Sequence, residues 1–415
     1  MATGPNAWIQ RLVPSLRSTY NLEIHTLFIY KEDINACPTI NFFKNQKLDY
    51  HLLNSEDHIY IADQVKAILK LIKVEKFNIL VANLVIPALY AATYLKSSNI
   101  PVIGVLHSND AFYRGVISKF IKGESSHQLT AAVAVSNYIN ELCKSETYKG
   151  ANYVIPCGTP VPKGVVKRNN KEHLSIIYAG RLVIVQKQII KLTSAFLNAS
   201  IDNKNLEFSV YGSGEQEQAV EKLIKNTDKS HKVNFHGAVP PSEMLKVMSQ
   251  HHVFTLMSDY EGMPVALMEA MACGVVPVCL QEESGINEII DNGINGFIVK
   301  DRNLDYQEKL ELLQKDHELW QTMSNNARQS IINKYSTDIT TKKWASLLES
   351  FRDRELKPVR IPYRIKLEGE LLVYGDNRKP SQMFLFQEKL KNNWLSFKLF
   401  VRPRARLRAL MKNEK

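Results

Sequence analysis

Two carboxylates on either side of one helix start carry the clearest chemistry in this 415-residue chain. Glu261 lies in Ser258-Asp259-Tyr260-Glu261-Gly262-Met263-Pro264, a turn that follows a short buried strand, His252 to Met257. Glu269 is the one charge in the apolar run from Val265 to Ala272. Pro264 suits the first helical position, where its fixed φ is already helical and its missing N–H is not needed. A helix start reached through a glycine turn presents free N–H groups and partial positive charge, which favours a phosphate. Glu269, just over one turn in, is expected to be at least half buried. A buried carboxylate needs donors, and ribose hydroxyls would supply them. The alternative makes Glu261 a solvated loop acid and pairs Glu269 with a distant lysine. Two acids across one helix start favour a ligand site.

A second group follows the strand Leu174 to Tyr178. Gly180-Arg181-Leu182 comes first and Lys187 six residues after the arginine. A guanidinium and an ammonium together can neutralise charge growing on a departing phosphate; the alternative is a solvated surface pair. Tyr211-Gly212-Ser213-Gly214-Glu215 closes the strand Leu206 to Tyr211. Glu217 stands where a dinucleotide fingerprint needs its third glycine, so NAD is disfavoured. A plain tight turn and a ligand contact both stay open there. Val233 to Gly237 is a further strand and turn. His107 lies at the end of the strand Val102 to His107, with Asp110 nearby, and is either a satisfied core residue or a site group. Ser136, after Ala131 to Val135, suits a helix cap.

Together these motifs resemble the retaining glycosyltransferases of family 4, which have the two-domain GT-B fold. Glu261 and Glu269 match that family's Glu-x7-Glu motif, set in Glu-Gly-Met-Pro and Glu-Ala-Met-Ala-Cys-Gly. The resemblance implies that Glu261 lies against the donor sugar and that Glu269 binds the ribose. Arg181 and Lys187 would clamp the diphosphate, cradled by the backbone of Gly262, Met263, Pro264, Val265 and Ala266. His107 would stand near the sugar hydroxyls, Gly212 and Gly214 under the nucleotide, Gly237 near the base and Ser136 near the interdomain cleft. Gly4 and Asn6 resemble the family's N-terminal glycine loop, with a phosphate or acceptor role. Gln188 departs from the family, which has glycine after the lysine. So does the start, where one glycine replaces two and no strand precedes it.

The implied activity moves a hexose from a UDP- or GDP-sugar to a hydroxyl of a glycan or glycolipid acceptor. Cell-surface polysaccharide or lipopolysaccharide synthesis is the implied setting. No metal and no cofactor are expected, and no Asp-x-Asp occurs in the chain. The rival readings are another GT-B sugar-nucleotide enzyme, such as a synthase or epimerase, and a non-catalytic transferase-like binding protein.

The elements that must position these residues alternate short strands and helices throughout. The expected class is α/β, with two Rossmann-like domains facing across a cleft and a basic extension. The first domain is expected over 1–157, with strands at Glu23 to Tyr30, Ile79 to Ala82, Val102 to His107, Ala131 to Val135 and Tyr153 to Ile155. A linker over 158–171 leads to the nucleotide-sugar domain over 172–335. A helix over 336–350 returns to the first domain, and 351–415 is the extension.

Composition sets the remaining limits. At 45% hydrophobic residues the chain can fill two cores. Five cysteines, odd in number and without metal-ligand spacing, suit a reducing compartment. No signal peptide is read at the start. The uncharged stretch Phe77 to Leu95 reads as a strand and a helix rather than a membrane span. The expected location is cytoplasmic, peripheral on the inner face of the membrane. From Phe351 onward there are 17 Lys and Arg against 7 Asp and Glu, a net of +10 out of +11 for the chain. Residues 389–412 set Trp394, Phe397 and Phe400 among Arg402, Arg404, Arg406 and Arg408, which suits an anionic membrane surface. A self-packed extension is the alternative, and nucleic acid is the less favoured partner.

Overall fold

The computed structural model describes residues 4–31, 33–58, 60–164, 173–228, 232–281 and 284–367. Its first half runs α1 (Gly4–Tyr20), β1 (Thr26–Tyr30), α2 (Pro38–Asn45), β2 (Tyr50–Asn54), α3 (Ile61–Glu75) and β3 (Leu80–Asn83). It continues α4 (Ile86–Leu95), β4 (Val102–Leu106), α5 (Ala111–Phe120), β5 (Ala131–Ala134), α6 (Asn137–Cys143) and β6 (Ala151–Val154). The second half begins β7 (Leu174–Ala179), α7 (Ile189–Asp202), β8 (Leu206–Tyr211), α8 (Glu217–Thr227), β9 (Val233–Gly237) and α9 (Pro241–Met248). Then come β10 (Val253–Leu256), α10 (Val265–Ala272), β11 (Val276–Leu280), α11 (Ile286–Ile289) and β12 (Phe297–Val299). The helices α12 (Leu304–Lys315), α13 (His317–Ser330) and α14 (Thr337–Glu349) complete it.

Every strand pair is parallel. The second half holds one sheet in the order β12-β11-β10-β7-β8-β9. Strands β10 and β11 are buried along their whole length, as a parallel sheet covered on both faces requires. The chain reverses direction across this sheet between β7 and β10. Such a switch point opens a crevice at the carboxyl ends of the strands. Out of β7 come Gly180 and Arg181, and out of β10 comes the Ser258–Pro264 turn, so both motifs converge there.

The first half holds β3-β4-β5-β6 as one sheet and β1-β2 as a separate parallel pair. The pair begins at Thr26, not at Glu23, because the ladder starts where Thr26 meets Tyr50. Its partner β2 was not anticipated: Tyr-His-Leu-Leu-Asn is short and gives little alternation to read. The stretch 77–95 resolves into β3 and the uniformly apolar helix α4, which is buried over most of its length. Among the described residues no helix is long and apolar enough to cross a membrane.

The crossing between the halves is double. Thr159 N–H donates to the Tyr335 carbonyl at 3.0 Å, and Thr337 N–H donates to the Thr159 carbonyl at 2.9 Å. Helix α14 then packs on α1, with the Trp8 and Trp344 rings 5.5 Å apart. Residues 165–171 of the expected linker lie outside the described residues, as do 389–412 of the basic extension.

Candidate functional site

The structure brings the motifs to one place, where the carboxyl ends of β7 and β10 meet the first half. The clamp residues come first. Lys187 Nζ pairs with Glu261 Oε1, with side chains only 12% and 8% exposed. Arg181 is exposed, donates to Gln186 Oε1 at 2.7 Å, and has its carbonyl held by the Tyr178 hydroxyl at 2.8 Å. Gln186 in turn donates to the Tyr260 carbonyl at 3.1 Å, tying the two loops together. Gln188 adopts the left-handed conformation, φ 50°. That explains why glycine suits this position. Its amide donates to Asp259, whose carboxylate also takes Arg302 at 2.7 Å.

Gly212 and Gly214 support this loop from below. Gly212 has φ 145°, and a side chain there would meet the Gly180 carbonyl. Leu182 N–H donates to the Ser213 carbonyl at 3.0 Å. Both glycines therefore serve close backbone packing beneath Arg181. Gly237 is connected to them, its carbonyl accepting from Gly212 N–H at 2.8 Å. Beside it the Tyr211 and His236 rings stack 4.4 Å apart.

The helix start differs from expectation by one residue. Pro264 is the extended residue capping α10, and Val265 is the first helical one. No side chain caps this end and its first turn carries no acid. The start of helix α1 lies against it: a side chain built on Gly4 would reach Val265 Cγ2 at 3.6 Å. Gly4 and Asn6 thus lie in the first turn of a helix rather than in a glycine loop, and Pro5 is tolerated because a first-turn residue needs no N–H partner. That turn also lacks an acid. Each helix start carries partial positive charge, so an anion close to both would be favoured.

Glu269 does not present a free carboxylate. It pairs with Arg11 of α1, with side chains 13% and 21% exposed. The guanidinium also reaches the Gly158 carbonyl at 3.5 Å. The distant cation suspected for Glu269 is therefore an arginine. It lies one turn beyond the buried Trp8, a position that reads locally as a surface residue.

His107 stands at the end of β4. Its Nε2 lies 2.8 Å from the Asn83 amide oxygen at the end of β3, and its Nδ1 is 3.7 Å from Cys157 Sγ. The Trp8 ring meets it edge-on at 5.4 Å. Burial pushes its pKa down to about 4. The imidazole is neutral at pH 7, a hydrogen-bonding group rather than a cation. Since the unfolded histidine titrates near 6.5, the unfolded chain binds the extra proton between pH 6.5 and 4, and stability falls as pH drops through that window. His107→Asn is expected to remove this part of the acid destabilisation, which acid melts of the two proteins would read.

Gly262 is wedged against this histidine. A Cβ added to it would lie 1.9 Å from the His107 carbonyl oxygen, and its own carbonyl accepts from Gly285 N–H at 3.0 Å. Asp110 caps α5 by accepting from Tyr113 N–H at 3.1 Å, and Ser136 caps α6 through Ile139 N–H at 3.3 Å. The start of α6 also receives Glu288 from the second half. Its carboxylate takes Asn137 N–H at 2.9 Å and Tyr138 N–H at 2.8 Å. No local pattern marked Arg11, Asn83 or Glu288.

Among the described residues no group of three or more His, Cys, Asp or Glu is arranged to hold a metal. A cavity of about 600 Å³ lies beyond Arg302, between the start of α7 and the 300–303 loop, with Lys191 and Lys300 on its wall.

Residues 165–330 match the family model described as glycosyl transferases group 1. The poly(ribitol-phosphate) alpha-N-acetylglucosaminyltransferase of Staphylococcus aureus is 25% identical over 174 residues, 42% of this chain and 35% of that one. A putative colanic acid biosynthesis glycosyltransferase, WcaL of Salmonella typhimurium, is 28% identical over 151 residues, 34% of this chain and 37% of that one. The chain thus spans about a third of the length of these curated relatives. The crystal structure of Anabaena Alr3699/HepE in complex with UDP superposes with a TM-score of 0.68 at 14% identity, over 84% of this chain and 97% of that one. The architecture is α/β of the GT-B kind.

Proposed function

We propose that the protein is a retaining hexosyltransferase of the family 4 kind. It moves a hexose from a UDP- or GDP-sugar to a hydroxyl of a glycan or glycolipid, in cell-surface polysaccharide or lipopolysaccharide synthesis. The observation that carries this reading is the close approach of two helix starts with no acid in their first turns, Gly4 of α1 and Val265 of α10. A diphosphate beside them would meet partial positive charge from both, and the match of residues 165–330 supports the same chemistry.

The other roles in this reading are as follows. The donor domain is 172–335 and the acceptor domain 1–157. Lys187 has three N–H donors, so it can hold Glu261 and still take a phosphate oxygen. Arg181, exposed beside it, supplies the second cation. Glu269 accepts from the ribose hydroxyls while Arg11 holds its other side. Glu261 lies against the sugar, and the neutral His107 bonds a sugar hydroxyl. In the transfer the bond from the sugar carbon to the diphosphate oxygen breaks. The acceptor oxygen bonds that carbon on the same face, and its proton passes to the departing diphosphate. No metal is assigned to this step, because two cations and two helix ends balance the charge. We assign the work to the cytoplasmic side of a membrane, where the five free cysteines would stay reduced.

Released nucleotide from a panel of UDP- and GDP-sugars, with and without acceptors, tests the reading. Turnover of at least one donor is the expected result. In calorimetry Glu269→Ala is expected to weaken nucleotide binding about tenfold or more, the scale of a lost charged hydrogen bond. Unchanged affinity would remove Glu269 from the site.

A second reading rests on the same ion pairs. Glu261 and Glu269 both already have internal cations, as a transferase-like binding protein would tolerate. Nucleotide binding without turnover of any donor would favour it.

A further inference from the structure

After α14 the chain continues along the first half. Residues 354–367 run as an extended strap along the first half, pinned by main-chain hydrogen bonds. Lys357 N–H donates to the Ser98 carbonyl at 2.9 Å, and the Ser98 hydroxyl donates to the Pro358 carbonyl at 3.2 Å. Asn99 donates to the Glu355 carbonyl at 3.0 Å. Farther along, the Tyr94 hydroxyl donates to the Lys366 carbonyl at 2.8 Å and accepts from Lys366 N–H at 2.7 Å.

The two sides of the strap differ in chemistry. Val359 is buried, and Ile361 and Ile365 pack on the core of the first half. Arg360, Tyr363, Arg364 and Lys366 are exposed, and no acid interrupts them from Lys357 to Leu367. The Tyr363 side chain is 98% exposed, so its ring gains almost nothing from the fold. Lys66 of α3 links strap and helix, donating to the Tyr363 carbonyl at 3.3 Å with its ammonium 5.8 Å from the ring centre. Lys70 and Lys73 extend Lys66 into one stripe, being four and seven residues on. Val74, 73% exposed, follows them, and Leu367, 37% exposed, is the last described residue of the strap.

We propose that this face of strap and α3 docks the protein on a bilayer rich in anionic lipid. The cations meet headgroup phosphates while Tyr363 sits at the interfacial level, its ring in the apolar layer and its hydroxyl in water. The aliphatic Val74 and Leu367 decide against nucleic acid, since a phosphodiester backbone offers them nothing and acyl chains do. Their spread over an open surface decides against a single small anion. The inference extends the proposed function by bringing the enzyme to a lipid-borne acceptor, but its test reads binding alone. It also moves the contact from residues 389–412, which lie outside the described residues, to a face held on the fold.

Full-length protein would be sedimented with vesicles of phosphatidylcholine alone and of phosphatidylcholine with phosphatidylglycerol, at low and physiological salt. Each basic residue at an anionic surface contributes about a fivefold gain in partition. Lys70→Glu with Lys73→Glu and Arg364→Glu is therefore expected to lower anionic-vesicle binding about a hundredfold or more. Tyr363→Ser is expected to lower it severalfold without changing its salt dependence. Thermal melts matching wild type would establish that these exposed changes leave the fold intact. A control variant reverses Arg402, Arg404, Arg406 and Arg408 and is expected to retain more binding than the triple variant. Wild-type pelleting of the triple variant would overturn the proposal, as would loss confined to the four-arginine variant. So would preference for a nucleic acid duplex over anionic vesicles at physiological salt.

Discussion

Lys187→Ala is expected to lose activity and stability together, whereas Arg181→Ala should lose activity alone. The two side chains look alike in sequence, as paired cations of one loop. In the fold Lys187 neutralises Glu261, and both are nearly enclosed. Removing one partner of such a pair leaves an uncompensated buried charge and costs about 3–5 kcal/mol. Arg181 is exposed and bonds Gln186, so its loss strands nothing. Its effect falls on charge that grows as the sugar departs, roughly a hundredfold or more in turnover. Chemical denaturation and donor turnover of both variants would separate these effects. Adding Glu261→Gln to Lys187→Ala should recover much of the stability and none of the activity. Equal stability of the two single variants would show that the Lys187–Glu261 pair contributes little to the fold.

Gly262→Ala is expected to disable turnover by forcing the halves apart. An added methyl would sit 1.9 Å from the His107 oxygen and 2.6 Å from the His107 carbonyl carbon, both main-chain atoms that cannot swing away. The loop bearing Glu261 must then withdraw from the end of β4. Misplacing reacting groups by about an ångström costs roughly a hundredfold in rate. Gly237→Ala makes a useful contrast: its φ is 72°, yet nothing lies within 4 Å of the added methyl. Its cost is the left-handed backbone alone, about 1–2 kcal/mol, with the interface between the halves undisturbed. Turnover and small-angle scattering of both variants would check this. A Gly262→Ala protein with wild-type turnover and dimensions would show that the contact yields freely.

Much of the fold was legible because its signals are local. Continuous apolar runs marked β4, β5, β10 and β11, and glycine turns after β7 and β10 marked where ligands could approach. The uncharged stretch 77–95 separated into strand and helix on Asn83 and Pro87. The strand β2 was lost because five residues without clear alternation look like a loop. The strap was lost because its cations outweighed the alternation of Val359, Ile361 and Ile365. Only the surface of the first half reveals which side of it is inward.

By itself the sequence determined that strand, glycine turn and apolar helix would follow one another at Val253–Ala272, and that Arg181 and Lys187 would leave a neighbouring strand. Those features depend on periodicity and turn chemistry within a few residues. Only the tertiary structure decided the partners. Arg11 meets Glu269 across 258 positions, and Glu288 reaches α6 across about 150. The packing of α1 on α14 brings Gly4 against Val265, and the docking of the halves leaves Gly262 no room for a side chain. Ion pairs and close approaches of this kind depend on how whole layers settle, because a charge far along the chain becomes a neighbour only after both surrounding cores have formed.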